Sequence, residues 1–193
     1  DTYLRPGPAG AVSTVAAGGR GGAARYAWGA RRQAGVEGGI GAVGGTVMTL
    51  GVKPDGSDWV VGLQDPVNTG SYAATLNVGA DTAIVTSGGY LRYFVDDDGN
   101  YRQHILSPAT GYPAESDLLS VPVISDDGTY ADALPTAPYV MGQRDAKRPY
   151  EANTGFELVL ITSDNRVVVS EGVREDFTLS GSDYTVETLR RPS

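Results

Sequence analysis

The sequence predicts an α+β fold with mixed, largely antiparallel sheets and two or three helices. Three observations lead there. Short runs rich in Val, Ile, Thr and aromatic residues recur along most of the chain, and each stops at Gly, Pro, Asn, Asp or Ser. Two such stops, DDDGN at 96–100 and SDN at 163–165, separate adjacent runs as hairpin turns do. Helical spacing is confined to the stretch ending near Gly35 and to 129–141.

Residues 1–12 (DTYLRPGPAGAV) mix Pro and Gly and read as a lead-in segment. Gly18, Gly19, Gly21 and Gly22 then precede AARYAWGARRQAG, where Ala23, Ala27 and Ala30 share one side of a helix. Arg31 and Arg32 suit its last turn, and Gly35 can end it. A glycine run before a helix N-terminus is a candidate phosphate cradle, because unpaired N–H groups point outward there. A plain flexible loop is the alternative.

GGIGAVGGTVMTLG reads as strand, glycine break, strand. Asp55-Gly56 marks a turn before a strand from Trp59 to Leu63. Strands are expected at 72–78, 81–86, 90–95 and 101–106. Asp96, Asp97 and Asp98 lie in the acidic turn between the last two; they lack a wider calcium-loop pattern and read as solvated. LLSVPVIS at 118–125 is apolar, and Pro122 pushes it towards an edge or a bulge. ELVLIT at 157–162 and RVVVS at 166–170 make a hairpin, and YTVETL in the polar tail carries a weak strand signal. No repeat or long linker interrupts residues 1–193, which read as a single domain.

Composition narrows the chemistry. The chain has 193 residues, 40% hydrophobic and 20% charged, with a net charge of −8. That sign disfavours non-specific binding of nucleic acid and docking onto anionic membranes. Zero cysteines exclude disulfides, thiolate catalysis and Cys-ligated zinc, and a single histidine excludes a multi-His zinc site. A metal here is expected to be a hard cation held by oxygens, Mg²⁺ or Ca²⁺. No run of about 18 apolar residues exists to span a membrane as a helix.

Two constellations carry possible chemistry. In ADALPTA, Asp132 and Thr136 are four apart; on a helix they share one face, and a carboxylate with a hydroxyl is a partial ligand set for Mg²⁺. The alternative is a capping Asp and a surface Thr. His104, the one histidine, precedes Pro108, Thr110, Gly111 and Pro113 in HILSPATGYP. That turn can fix polar groups, and an imidazole exchanges protons near neutral pH. A packed structural histidine is the alternative.

The order of these motifs along the chain, GGRGGAA, VGGTV, WVVGLQDP, TSGGYLRYF, HILSPATGYP and ADALPTA, closely resembles the ApbE family, the FAD:protein FMN transferases, over roughly residues 10–170. The resemblance implies FAD as substrate, Mg²⁺ as cofactor, and transfer of FMN to a threonine hydroxyl of a target flavoprotein with release of AMP. Mg²⁺-dependent hydrolysis of FAD to FMN and AMP is the alternative reaction, and a non-catalytic FAD-binding module a further one. By motif, Asp132 and Thr136 resemble the metal ligands, and His104 the general base or substrate-positioning residue. Ser87, Gly88 and Tyr90 resemble the flavin-contacting turn, Thr110 and Gly111 the turn closing over FAD, and Arg20 the phosphate-facing residue. The resemblance also implies an exported, periplasmic or extracytoplasmic location. It further implies an N-terminal portion ahead of these residues, which would make this chain the C-terminal two-thirds of a family member.

Three positions depart from the family pattern. Arg20 replaces a lysine; it keeps the charge but binds phosphate as a broad fork and cannot act as a base. Thr46 stands where the family has Asp after Gly44-Gly45. Pro135 sits inside the metal-ligand helix, where an interior proline costs about 3 kcal/mol. With Asp132 as N-cap, Pro135 would fall within the first turn and be tolerated.

Overall fold

The computed structural model describes residues 20–181 and 183–192. Helix α1 (Arg20–Gln33) leads into the hairpin β1 (Gly39–Val43) and β2 (Thr46–Leu50), joined through Gly44-Gly45. β3 (Trp59–Gln64) and β4 (Tyr72–Val78) form a second hairpin, followed by β5 (Ala83–Ser87), a 3₁₀ turn (Gly89–Leu91) and the short pair β6 (Tyr93–Val95) and β7 (Tyr101–Gln103). β8 (Leu118–Ser125), α2 (Gly128–Ala133), α3 (Thr136–Met141) and α4 (Arg148–Ala152) come next. β9 (Glu157–Thr162), β10 (Arg166–Ser170), β11 (Phe177–Leu179) and β12 (Thr185–Leu189) complete the order.

The central layer is a seven-stranded sheet in the order β1-β2-β5-β8-β9-β10-β12. Its pairs are antiparallel except β10 with β12, which is parallel. Period-two alternation splits its side chains between two cores. Met48, Val85, Val123, Leu158 and Leu160 face the helices. Ile84, Ile124, Val159, Ile161 and Val167 face a three-stranded sheet, β11-β4-β3, together with its Val61 and Leu76. Each fully buried aliphatic side chain contributes roughly 1.5–3 kcal/mol. The α+β class with mixed, mostly antiparallel sheets is therefore what forms.

α1 packs on α2 and β2. Its indole at Trp28 lies against Gly41, where a Cβ would collide with the ring. Arg31 stacks on that indole at 4.4 Å, and Gly35, with φ +82°, ends the helix as expected.

Two expectations need correction. Pro122 lies inside a central strand, opposite Thr86 of β5, and not at an edge. The register step in β8 falls between Leu118 and Ser120 instead. All but one residue of this run are buried, and that burial outweighs one missing N–H. The stretch 129–141 is two short helices, because Pro135 cannot continue the hydrogen-bond ladder of α2 and becomes the N-cap of α3.

Tyr184 and Tyr150 anchor the C-terminal segment. The Tyr184 hydroxyl donates to Asp65 Oδ1 (3.0 Å), and that of Tyr150 to Glu157 Oε2 (3.1 Å). Arg191 stacks on Tyr150 at 3.8 Å and pairs with Glu157. Burial first, and the neighbouring carboxylate second, push both phenols up to about 12 from 10.0. The folded chain thus holds these protons more tightly than the unfolded chain. Their contribution is whole below pH 10 and is lost as pH rises through about 12. Urea midpoints should fall across that window, and Tyr184→Phe should make the fall smaller.

Candidate functional site

The candidate residues gather at one end of the central sheet. Register places Ser87, the last residue of β5, opposite Val121 of β8, and Thr46, the first of β2, opposite Val85. The Gly44-Gly45 turn, the Gly88-Gly89 turn and the loop into β8 therefore all open at this end. α2 starts at the opposite end, where Gly128 lies against Met48 and Ala83. The chain then runs back along the helix face, and α3 begins beside Ser87. Ser87 Oγ and Thr136 Oγ1 are 3.0 Å apart, although 49 residues separate them in sequence.

α2 is capped by Asp127, whose carboxylate accepts from Thr129 N (2.8 Å) and Tyr130 N (3.2 Å). This corrects the expectation that Asp132 is the cap. Asp132 sits half-buried inside α2, one residue before the helix ends, and Thr136 is the first residue of α3. The two oxygens belong to successive short helices on either side of Leu134-Pro135.

The turn after Ser87 is gripped from three directions. Tyr101 Oη donates to Gly89 O at 2.8 Å. The buried Tyr139, on the same helix as Thr136, donates its hydroxyl to Gln103 Oε1 at 2.8 Å. A Cβ at Gly89 would collide with the Gln103 amide and the Tyr139 hydroxyl, so only glycine allows this approach. Burial pushes the Tyr139 phenol upward. Tyr90 is half-buried, and its phenol is likewise pushed up by burial, with the Ser120 hydroxyl opposing. Gln103, Tyr101 and Tyr139 were not singled out from sequence; their role depends on contacts between segments far apart in the chain.

His104 follows Gln103 and is exposed. Its backbone N–H and its Nδ1 both lie on Arg92 O, at 3.2 and 3.0 Å. A carbonyl can only accept, so Nδ1 carries a proton, and in the neutral ring Nε2 keeps its lone pair. The segment after it closes as a tight loop. Ser107 N donates to Tyr112 O (2.8 Å), and Gly111 N to Ser107 O (2.8 Å) with φ +73° at Gly111. Thr110 Oγ1 accepts from Tyr112 N (3.3 Å). Thr110 and Gly111 lie on the exposed rim. His104 and Thr136 are linked through the bond between Gln103 and Tyr139.

Gly18 and Gly19 lie outside the described residues. Of Arg20 only the backbone is described, as the first residue of α1. Thr46 is buried, and its Oγ1 has no hydrogen-bond partner among the described residues. Also among them, no group of three or more His, Cys, Asp or Glu is placed to hold a metal. Asp132 and Thr136 can supply two hard oxygens, which suits a cation that takes its remaining ligands from phosphate, backbone or water. No described helix is long and apolar enough to cross a membrane.

These features define an α+β protein whose candidate site is built from turns and helix starts at one end of a mixed sheet. The chain belongs to the ApbE family, which residues 11–160 match. It is 33% identical over 153 residues to the FAD:protein FMN transferase of Treponema pallidum, covering 75% of this chain and 42% of that protein. It is 31% identical over 156 residues to that of Klebsiella pneumoniae, with 80% and 47% covered. Among solved structures it resembles the ApbE protein of Thermotoga maritima, with a TM-score of 0.66, 34% identity, and 81% and 52% covered. The chain thus spans about half the length of the relatives it matches or less.

Because Asp127 organises the helix that carries Asp132, Asp127→Ala should cost about 1 kcal/mol of stability. The expected loss is read as a lower urea midpoint with an unchanged slope.

Proposed function

We propose that this chain carries the phosphate-handling side of a flavin transferase: Mg²⁺-dependent transfer of FMN from FAD to a threonine hydroxyl of a target flavoprotein, with AMP released. The observation that carries this reading is the meeting of Ser87 and Thr136 at 3.0 Å, beside a turn that admits no side chain and is tied through Tyr101 to β7, the strand that His104 follows. Names of relatives that act on FAD support the flavin part of the reading.

In this reading the threonine oxygen of the acceptor forms a bond to the FMN phosphorus, and the pyrophosphate bond to AMP breaks. The acceptor's proton moves to His104 Nε2, the nitrogen left free by the Nδ1–H bond to Arg92 O. Asp132 and Thr136 hold Mg²⁺, which when bound neutralises charge developing on the phosphates. Ser87, Gly88 and Tyr90 position the flavin nucleotide through the turn at the end of β5. Thr110 and Gly111 form the rim that closes over it, and Arg20 meets phosphate from the start of α1. An extracytoplasmic location is proposed from the family resemblance alone.

The exposure of His104 and Thr136 favours one second reading, in which water takes the acceptor's place and FAD is hydrolysed. Incubation with FAD, Mg²⁺ and a threonine-bearing peptide of a flavoprotein separates the two. Flavinylated peptide with AMP supports transfer, and FMN with AMP lacking any modified peptide supports hydrolysis. Neither product, with FAD bound, leaves a binding module. His104→Ala should slow turnover about a hundredfold or more with FAD affinity retained; loss of affinity instead would assign His104 to substrate positioning.

A further inference from the structure

We infer that Gln103 and Tyr139 are positioning residues, a brace that fixes the tautomer and orientation of His104 relative to the helix carrying Thr136. The brace itself stands on geometry; its catalytic meaning rests on the flavin-transfer reading above.

Both ends of the Gln103 amide are used. Nε2 donates to Ala114 O at 2.5 Å, and Oε1 accepts from Tyr139 Oη at 2.8 Å. The first bond fixes which way the amide points, since a carbonyl takes only a donor. The second bond then requires the phenol to donate. Tyr139 is 4% exposed, so without Gln103 its buried hydroxyl proton would lose this acceptor. Tyr139 is held in turn by Ser116, whose Oγ donates to Tyr139 O at 2.6 Å.

One side chain thus joins three segments: β7 through Gln103 itself, the loop into β8 through Ala114, and α3 through Tyr139. Gln103 pairs with Tyr93 across the β6–β7 ladder, one residue from Arg92 and one from His104. Holding Gln103 therefore holds Arg92 O under the His104 ring. The β6–β7 pair is otherwise a short two-stranded ribbon whose β6 residues are all exposed. Such a ribbon is marginal by itself and needs an anchor to keep a fixed register. The same brace closes on Gly89, which places the Gly88-Gly89 turn in the same frame.

With one histidine in the chain, the imidazole ¹⁵N spectrum reports His104 alone. In ¹⁵N-labelled protein at mildly alkaline pH, the neutral ring should show the Nδ1–H tautomer. Gln103→Leu and Tyr139→Phe should each raise the ratio of Nε2–H to Nδ1–H about fivefold, the equilibrium worth of one hydrogen bond. Tyr93→Phe, on the same ribbon but outside the brace, should leave it unchanged. An unchanged ratio in Tyr139→Phe, or an equal shift in Tyr93→Phe, overturns the inference. Tyr139→Phe keeps the buried ring and decides the matter if Gln103→Leu does not fold. Flavin fluorescence quenching on the same samples tests the functional reading separately: no FAD binding by the unaltered protein would remove that reading while the tautomer ratios still judge the brace.

Discussion

Both faces of the seven-stranded sheet must be covered, and this constraint decides where a site can form. One face is taken by the three-stranded sheet and the other by the helices, so the strands between the edges are buried on both sides. Nothing reactive can sit on such faces. Only the ends of the strands, where turns and helix starts meet solvent, remain for polar chemistry. Ser87 at the end of β5, the Gly44-Gly45 turn before β2 and the loop before β8 share one such end through antiparallel register.

The helices serve the same geometry. α2 starts at the far end, capped by Asp127, and Pro135 forces a second start beside Ser87. A single uninterrupted helix would have carried Asp132 and Thr136 on one straight face. The break instead gives Thr136 its place as the first residue of a new helix, with its hydroxyl against Ser87. The proline that counted against the motif in the sequence is thus part of how the motif is built.

Much of the fold was legible because its signals are local. Residues 72–78 match β4 residue for residue, the 157–170 hairpin forms around Ser163–Asn165, and Gly35 ends α1. Pro122 misled, because a proline's cost is local while the burial that overrides it comes from neighbouring strands. α4 and β11 carry too few residues to show a period, and the weak signal of YTVETL gave no hint that β12 would pair in parallel with β10. At the site, His104, Ser87 and ADALPTA stood out through their motifs. Gln103, Tyr101 and Tyr139 did not, since a glutamine at a strand end and a tyrosine on an apolar helix face look like ordinary packing until the two meet.

The central claim is that motifs far apart in sequence form one nucleotide site at this sheet end. Amide chemical-shift mapping during titration with FAD and Mg²⁺ tests it most directly. The account predicts that Ser87–Gly89, His104, Gly111 and Thr136 shift together, with one affinity, while amides at the opposite end near Ala83 and Gly128 stay still. Shifts centred on that opposite end, or separate affinities for the Ser87 turn and Thr136, would contradict it.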